Sequence, residues 1–188
     1  ANPIIGGAFF QSFPIYGKKA IEVMKRASHF VSTGALVKDT TEGEVRLPKD
    51  GTSRISYQLN EVDRRRLVKG LRVSAQLYLE GAGAESIVPS IFGGKWCKNM
   101  SDVDKFIPEN LEAERLVPYS SHAQASCRMG RACDQQGKLL GAKNIYVMDS
   151  SVLPSNVGRN PQISIMTVAR LLAVDLAEQM GGTVLPLN

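Results

Sequence analysis

The stretch from residue 149 to residue 177 constrains this chain more than any other. Just ahead of it, Asn144-Ile145-Tyr146-Val147-Met148 is a short apolar, β-branched and aromatic run that ends at Asp149, the pattern of a buried parallel strand. The loop that follows holds Pro154, Ser155, Asn156 and Gly158, residues that interrupt regular structure. A helix then starts sharply. Asn160 is a favoured cap, and Pro161 suits the first helical position, where its missing N–H would be unpaired anyway. From 163 to 176 apolar residues surround nearly the whole helix, so this helix belongs inside a larger body. Its start offers unpaired N–H groups and a partial positive charge, which suit a phosphate, a carboxylate or an electron-rich ring edge. Plain capping explains the Asn-Pro pair equally well.

The 188 residues allow one domain or two small ones, and 43% hydrophobic content is enough to bury a core. The formal charge of +5 is mild and scattered. Its one run, Asp63-Arg64-Arg65-Arg66, reads as a solvated face near a helix start, and no basic stripe with aromatics points to nucleic acid. Cys97, Cys127 and Cys133 are too few and too irregularly spaced for a disulfide framework or a zinc site, so no metal is expected. No stretch approaches the ~20 apolar residues of a membrane span, and no secretory pattern is visible, which favours the cytoplasm. The sequence opens at Ala1-Asn2-Pro3 and runs directly into Ile4-Ile5-Gly6-Gly7-Ala8-Phe9-Phe10, as the middle of something longer would.

Apolar positions at helical spacing predict an amphipathic helix over 16–30. Short runs over 31–37, 44–47 and 54–58, separated by turn residues, predict an antiparallel meander. Asn60 caps a long helix to about residue 80, which Gly81-Ala82-Gly83 closes. A short strand over 84–88 and an irregular helix over 101–111 follow. The fold class is therefore α+β: an antiparallel sheet packed by helices, beside a strand-helix unit of a different body.

Upstream of the strand lies Ser121-His122-Ala123-Gln124-Ala125-Ser126-Cys127-Arg128-Met129-Gly130. Together with Asp149-Ser150-Ser151-Val152-Leu153-Pro154 and Gly158-Arg159-Asn160-Pro161-Gln162, it resembles the carboxy-terminal signature of the glucose–methanol–choline (GMC) family of FAD-dependent alcohol oxidoreductases. The use of Asn instead of a second His is similar to the cholesterol-oxidase and long-chain-alcohol-oxidase branch. The resemblance is specific over 118–180 and general over 58–89. It implies two parts, with 1–117 belonging to a substrate domain and 118–188 supplying the last strand and helix of a Rossmann-like FAD-binding domain. This chain departs from the pattern after the histidine, where the family commonly has Pro or Gly and this sequence has Ala123-Gln124-Ala125-Ser126. Arg159 is also bulkier than the residue usual before the Asn.

By that resemblance His122 is the base that takes the hydroxyl proton of a small-molecule alcohol as hydride passes to FAD. Asn160 donates its amide to the alcohol oxygen. Pro161 opens the helix, Gln162 and Ile163 present backbone N–H groups to the flavin pyrimidine edge, and Asp149 and Ser150 contact the cofactor's ribityl-diphosphate region. The family's strand-G-x-G-x-x-G-helix unit for the adenosine diphosphate half is not found in this sequence. The expectation is thus a carboxy-terminal part holding an incomplete FAD site, with an amino-terminal FAD-binding segment or a partner chain supplying the remainder. Two other readings stand beside it: a substrate-binding or cap fragment without activity, and a hydrolase using Ser120 or Ser121 with His122. The latter lacks a G-x-S-x-G elbow. For His122 by itself a hydrogen-bonded loop imidazole is the plain alternative, and His29 on the amphipathic helix reads as a surface residue.

Overall fold

The computed structural model describes residues 16–118, 120 and 122–183. The apolar run at 4–10 and Ser121 lie outside them. Among the described residues there are four α-helices, α1 (Lys18–Lys25), α2 (Glu61–Gln76), α3 (Met100–Phe106) and α4 (Gln162–Gln179). The sheet has two strands, β1 (Glu44–Arg46) and β2 (Arg54–Ser56). The chain divides into two compact units, Ala1–Pro118 and Tyr119–Asn188. The architecture is mixed α+β.

In the first unit α2 organises the rest. Asn60 takes an extended backbone and its side chain accepts from the Asp63 amide at 2.8 Å, closing the capping arrangement that its sequence position predicts. The helix ends in a π-helical turn, Leu77–Gly81, where the Ala82 amide reaches the Leu77 carbonyl at 2.9 Å. Val68 and Ala75 point inward and meet Ile91, Cys97, Val103, Ile107, Leu111 and Leu116 in one buried cluster. Ile87 and Cys97 exchange backbone hydrogen bonds of 2.9 and 2.8 Å, which brings Cys97 into that core. Burial, with Asp102 adding to it, pushes the Cys97 thiol up.

Asp63 corrects the sequence reading. It is 0% exposed and is not part of a solvated face. Its Oδ2 accepts from the Thr40 amide at 2.6 Å, the Thr41 amide at 2.8 Å and both threonine hydroxyls, while Arg66 reaches Oδ1 at 3.1 Å. Burial pushes this carboxyl up, but the Thr40 and Thr41 bonds together outweigh burial and hold it below the usual carboxylate range. Arg64 is likewise turned inward, donating to the carbonyls of Glu109 and Leu111 at 3.1 and 2.7 Å.

The meander is reduced to a hairpin. Glu44 pairs with Ser56, Val45 with Ile55 and Arg46 with Arg54, and all six residues are exposed. Residues 31–37 form no strand, because this segment and its continuation lie on α2. The Lys38 carbonyl accepts from Arg66, Thr40 and Thr41 bind Asp63, and a Cβ on Gly70 would stand 2.6 Å from that of Ala35. The expected strand at 84–88 is a single bridge at Ile87. The amphipathic helix is shorter than its pattern, ending at Lys25 before a 3₁₀ turn, Ala27–His29.

In the second unit the predicted parallel strand at 144–148 is not formed. Tyr146 instead pairs antiparallel with Lys138, and the Val147 amide donates to the Gly137 carbonyl at 2.8 Å. The Asp134 side chain accepts from the amides of Gln136 and Lys138, both at 2.9 Å, and so builds the turn that provides this local partner. Gly137 holds φ +74°, and a Cβ there would lie 2.7 Å from the Val147 carbonyl oxygen. The long apolar helix is present as α4.

Candidate active site

The two motif segments singled out in the sequence are joined in the second unit by a run of backbone hydrogen bonds. The amides of Ala125, Cys127 and Met129 donate in turn to the carbonyls of Ser150, Ser151 and Val152, at 3.3, 3.0 and 3.0 Å. The Ser150 hydroxyl donates to the Ala123 carbonyl at 3.0 Å. Ser150–Val152 is a 3₁₀ turn whose cap is Asp149, accepting from the Ser151 amide at 2.7 Å. Val152 and Leu153 anchor the turn from below as buried apolar side chains. Asp149 is held below the usual carboxylate range by its hydrogen bonds to the Ser151 hydroxyl and amide. It is exposed, so that shift says little about stability.

His122 lies in a bend and is half-buried. Two residues on, the Gln124 amide donates through Nε2 to the His122 carbonyl at 3.1 Å and accepts through Oε1 from the Val157 amide at 3.3 Å. The loop before α4 is tightened by Asn156 Oδ1, which accepts from the Gly158 amide at 2.6 Å. Ala125 has φ +66°, the one positive-φ residue other than glycine among those described. It falls within residues 123–126, the stretch that departs from the family pattern, and it is a backbone conformation that L side chains adopt at a cost.

Asn160 stands exposed just ahead of α4 and does not cap it. The cap position falls on Pro161, with φ −91° and ψ 0°, whose carbonyl accepts from Ile165 at 2.8 Å. The proline ring sets the turn, so the helix begins one residue later than predicted, after a residue with no side-chain acceptor. Pro161 is buried, whereas Gln162 and Ile163 are exposed, Ile163 at 81%. No acidic residue lies in the first turn. An uncapped start without local negative charge fits an electron-rich or anionic ring edge. Gln124, Val157 and the backbone of Ala125 are features the sequence did not single out. The departure at residues 123–126 was the one signal pointing to them.

Of the remaining candidates, Ser120 is exposed and His29 is an exposed 3₁₀ residue bonded to the Ser28 hydroxyl at 3.2 Å. Cys133 is buried, and burial with the nearby Cys127, Asp134 and Asp149 pushes its thiol up. No helix among the described residues is long and apolar enough to cross a membrane.

The histidine segment is thus registered on a second motif loop that leads into an uncapped helix start. The model for GMC oxidoreductases matches residues 39–169, and the chain belongs to that family. It is 30% identical over 180 residues to the long-chain-alcohol oxidase FAO3 of Arabidopsis thaliana, covering 85% of this chain and 24% of that protein. With the long-chain-alcohol oxidase FAO4B of the same plant it shares 27% over 197 residues, 95% of this chain and 26% of the relative. An uncharacterized GMC-type oxidoreductase, y4nJ of Sinorhizobium fredii, is 32% identical over 137 residues, 70% of this chain and 27% of its own length. The chain thus spans about a quarter of the length of these relatives. No solved structure matches it significantly.

Proposed function

We propose that this region is the carboxy-terminal part of an FAD-dependent oxidoreductase that oxidises an alcohol, with His122 as base and Asn160 as hydrogen-bond donor. The observation that carries this reading is the backbone register between the His122 segment and residues 150–152, extended by Gln124 to Val157. Two segments far apart in sequence are held together, and each bears one of the two polar side chains the chemistry needs. The names of the Arabidopsis relatives make long-chain alcohols the first substrates to try.

Bound FAD would supply the hydride acceptor. The residues toward it would be the N–H groups at the start of α4, at Gln162 and Ile163, behind Pro161, with Asp149 and Ser150 facing the ribityl-diphosphate region. The His122 imidazole would accept the hydroxyl proton at a ring nitrogen. The Asn160 side-chain amide, free of any capping duty, would donate to the oxygen as negative charge develops, a placed dipole of ~2.7–4 kcal/mol if comparable to an oxyanion donor.

The test is stopped-flow reduction of bound flavin in the full-length protein. His122→Ala should slow it ~10²–10⁴-fold with FAD content unchanged. Asn160→Ala should slow it ~10²-fold without loss of thermal stability, because the side chain caps nothing. The double variant should lose less than the sum of the two. Reduction of flavin by His122→Ala at the wild-type rate would end this reading.

A further inference from the structure

Gln124 is half-buried and has both ends of its amide engaged. One orientation alone satisfies both partners: Nε2 must meet the His122 carbonyl, 3.1 Å away, and Oε1 must meet the Val157 N–H, 3.3 Å away. The bridge therefore runs from the residue that carries the imidazole to the loop that leads into Asn160. The backbone on either side of Gln124 is pinned to one residue. The Ala123 carbonyl accepts from the Ser150 hydroxyl at 3.0 Å, and the Ala125 amide donates to the Ser150 carbonyl at 3.3 Å. Ala125 makes this possible by adopting φ +66°, a conformation an L side chain takes at a cost and one that turns the chain sharply beside Gln124.

We infer that Gln124 is a positioning residue for the proposed reaction, fixing the separation between His122 and the 157–160 loop. It touches neither substrate nor cofactor in this role; it acts through the placement of His122 relative to Asn160. The inference rests on the reading of His122 and Asn160 given above. Misplacing a base by a fraction of the distance it must span lowers rate without weakening ground-state binding. The signature is accordingly a loss in kcat with KM unchanged.

Single-turnover reduction of bound flavin in the full-length, FAD-loaded protein reads it, with a long-chain alcohol as reductant. Gln124→Ala should be slowed ~10–10²-fold. Gln124→Glu has the same size but turns an acceptor toward the His122 carbonyl, so it should be slowed similarly. In a His122→Ala background, Gln124→Ala should add no further loss, because the group it positions is gone. A residue that only supports the fold would lower rate in both backgrounds, and that result overturns the inference. So does a wild-type rate in Gln124→Glu. Should Gln124→Ala fail to retain FAD, Gln124→Glu decides, and failure of both to retain it shows a folding role and overturns the inference. A slow His122→Ala with an unaffected Gln124→Ala leaves the catalytic reading standing without this one, whereas an unaffected His122→Ala removes both.

Discussion

The two units of this chain are held by different means. Around α2 the first unit buries Val68, Ile91, Val103 and Ile107 almost completely, a continuous apolar core to which α3 and the loops on either side contribute. In the second unit the buried apolar side chains Cys133, Val152, Leu153 and Leu172 are few, and the loops are fixed by backbone hydrogen bonds. Its 18-residue helix buries one side chain, Leu172, and leaves Met166 62% and Leu171 64% exposed. Burial dominates the first unit, whereas the second relies on backbone hydrogen bonds and leaves most of its apolar helix exposed.

Removing core volume from the first unit gives the largest effect. Ile107→Ala should cost about 2–5 kcal/mol in urea denaturation, the range for a well-packed site. A cost below about 1 kcal/mol would mean that the cluster is not the source of that unit's stability. Asp63→Asn comes next, at about 2–3 kcal/mol, since an amide cannot replace an acceptor of four donors. The Asp63 carboxyl is held below its ordinary value when folded, so its stabilisation is fully present above the unfolded-state pKa of about 3.9 and is lost as pH falls through the lower folded value. The gap between wild type and Asp63→Asn should therefore close below about pH 4.

Gly137→Ala tests the backbone character of the second unit. It adds only a methyl, but at φ +74° and 2.7 Å from the Val147 carbonyl oxygen, and should cost about 1–3 kcal/mol. Little change would show that the bonds between 134 and 147 do not define that unit. Smallest is Leu171→Ser, expected within about 0.5 kcal/mol because the side chain is mostly in solvent. A large loss there would make the helix a contributor to stability in its own right and blur the contrast between the units.

What was legible in the sequence cuts across the two units. Helices α2 and α4 were readable because apolar patterning is a local signal, joined at α2 by the Asn60 cap and at α4 by Pro161, and the 44–56 hairpin because its turn residues are local too. The predicted strands at 31–37 and 144–148 failed for a shared reason: strand propensity describes a surface that needs a partner, and the first packs Ala35 against Gly70 of α2 and leads into residues bonded to that helix, while the second bonds to a turn at 134–138. His122 and Asn160 were singled out by a pattern of residues, but the bond from Gln124 to Val157 joins positions 33 residues apart, and the departure at 123–126 marks only one of its ends. Asp63 was misread because three arginines follow it, and charge runs on helices are usually wet.

The threonine-aspartate arrangement at the start of α2 also has a kinetic consequence. Asn60 donates to the Thr40 hydroxyl at 3.0 Å and receives the Asp63 amide, while the Asn60 backbone N–H donates to the Thr41 hydroxyl at 3.1 Å. Neither Thr40 nor Thr41 lies in a helix or a strand, yet their amide protons end on a carboxylate sealed from water. Exchange with deuterium at those two amides requires the first turn of α2 to open. They should label at the pace of the helix rather than at the pace of a loop, so that an irregular segment carries the protection of the element it is stitched to.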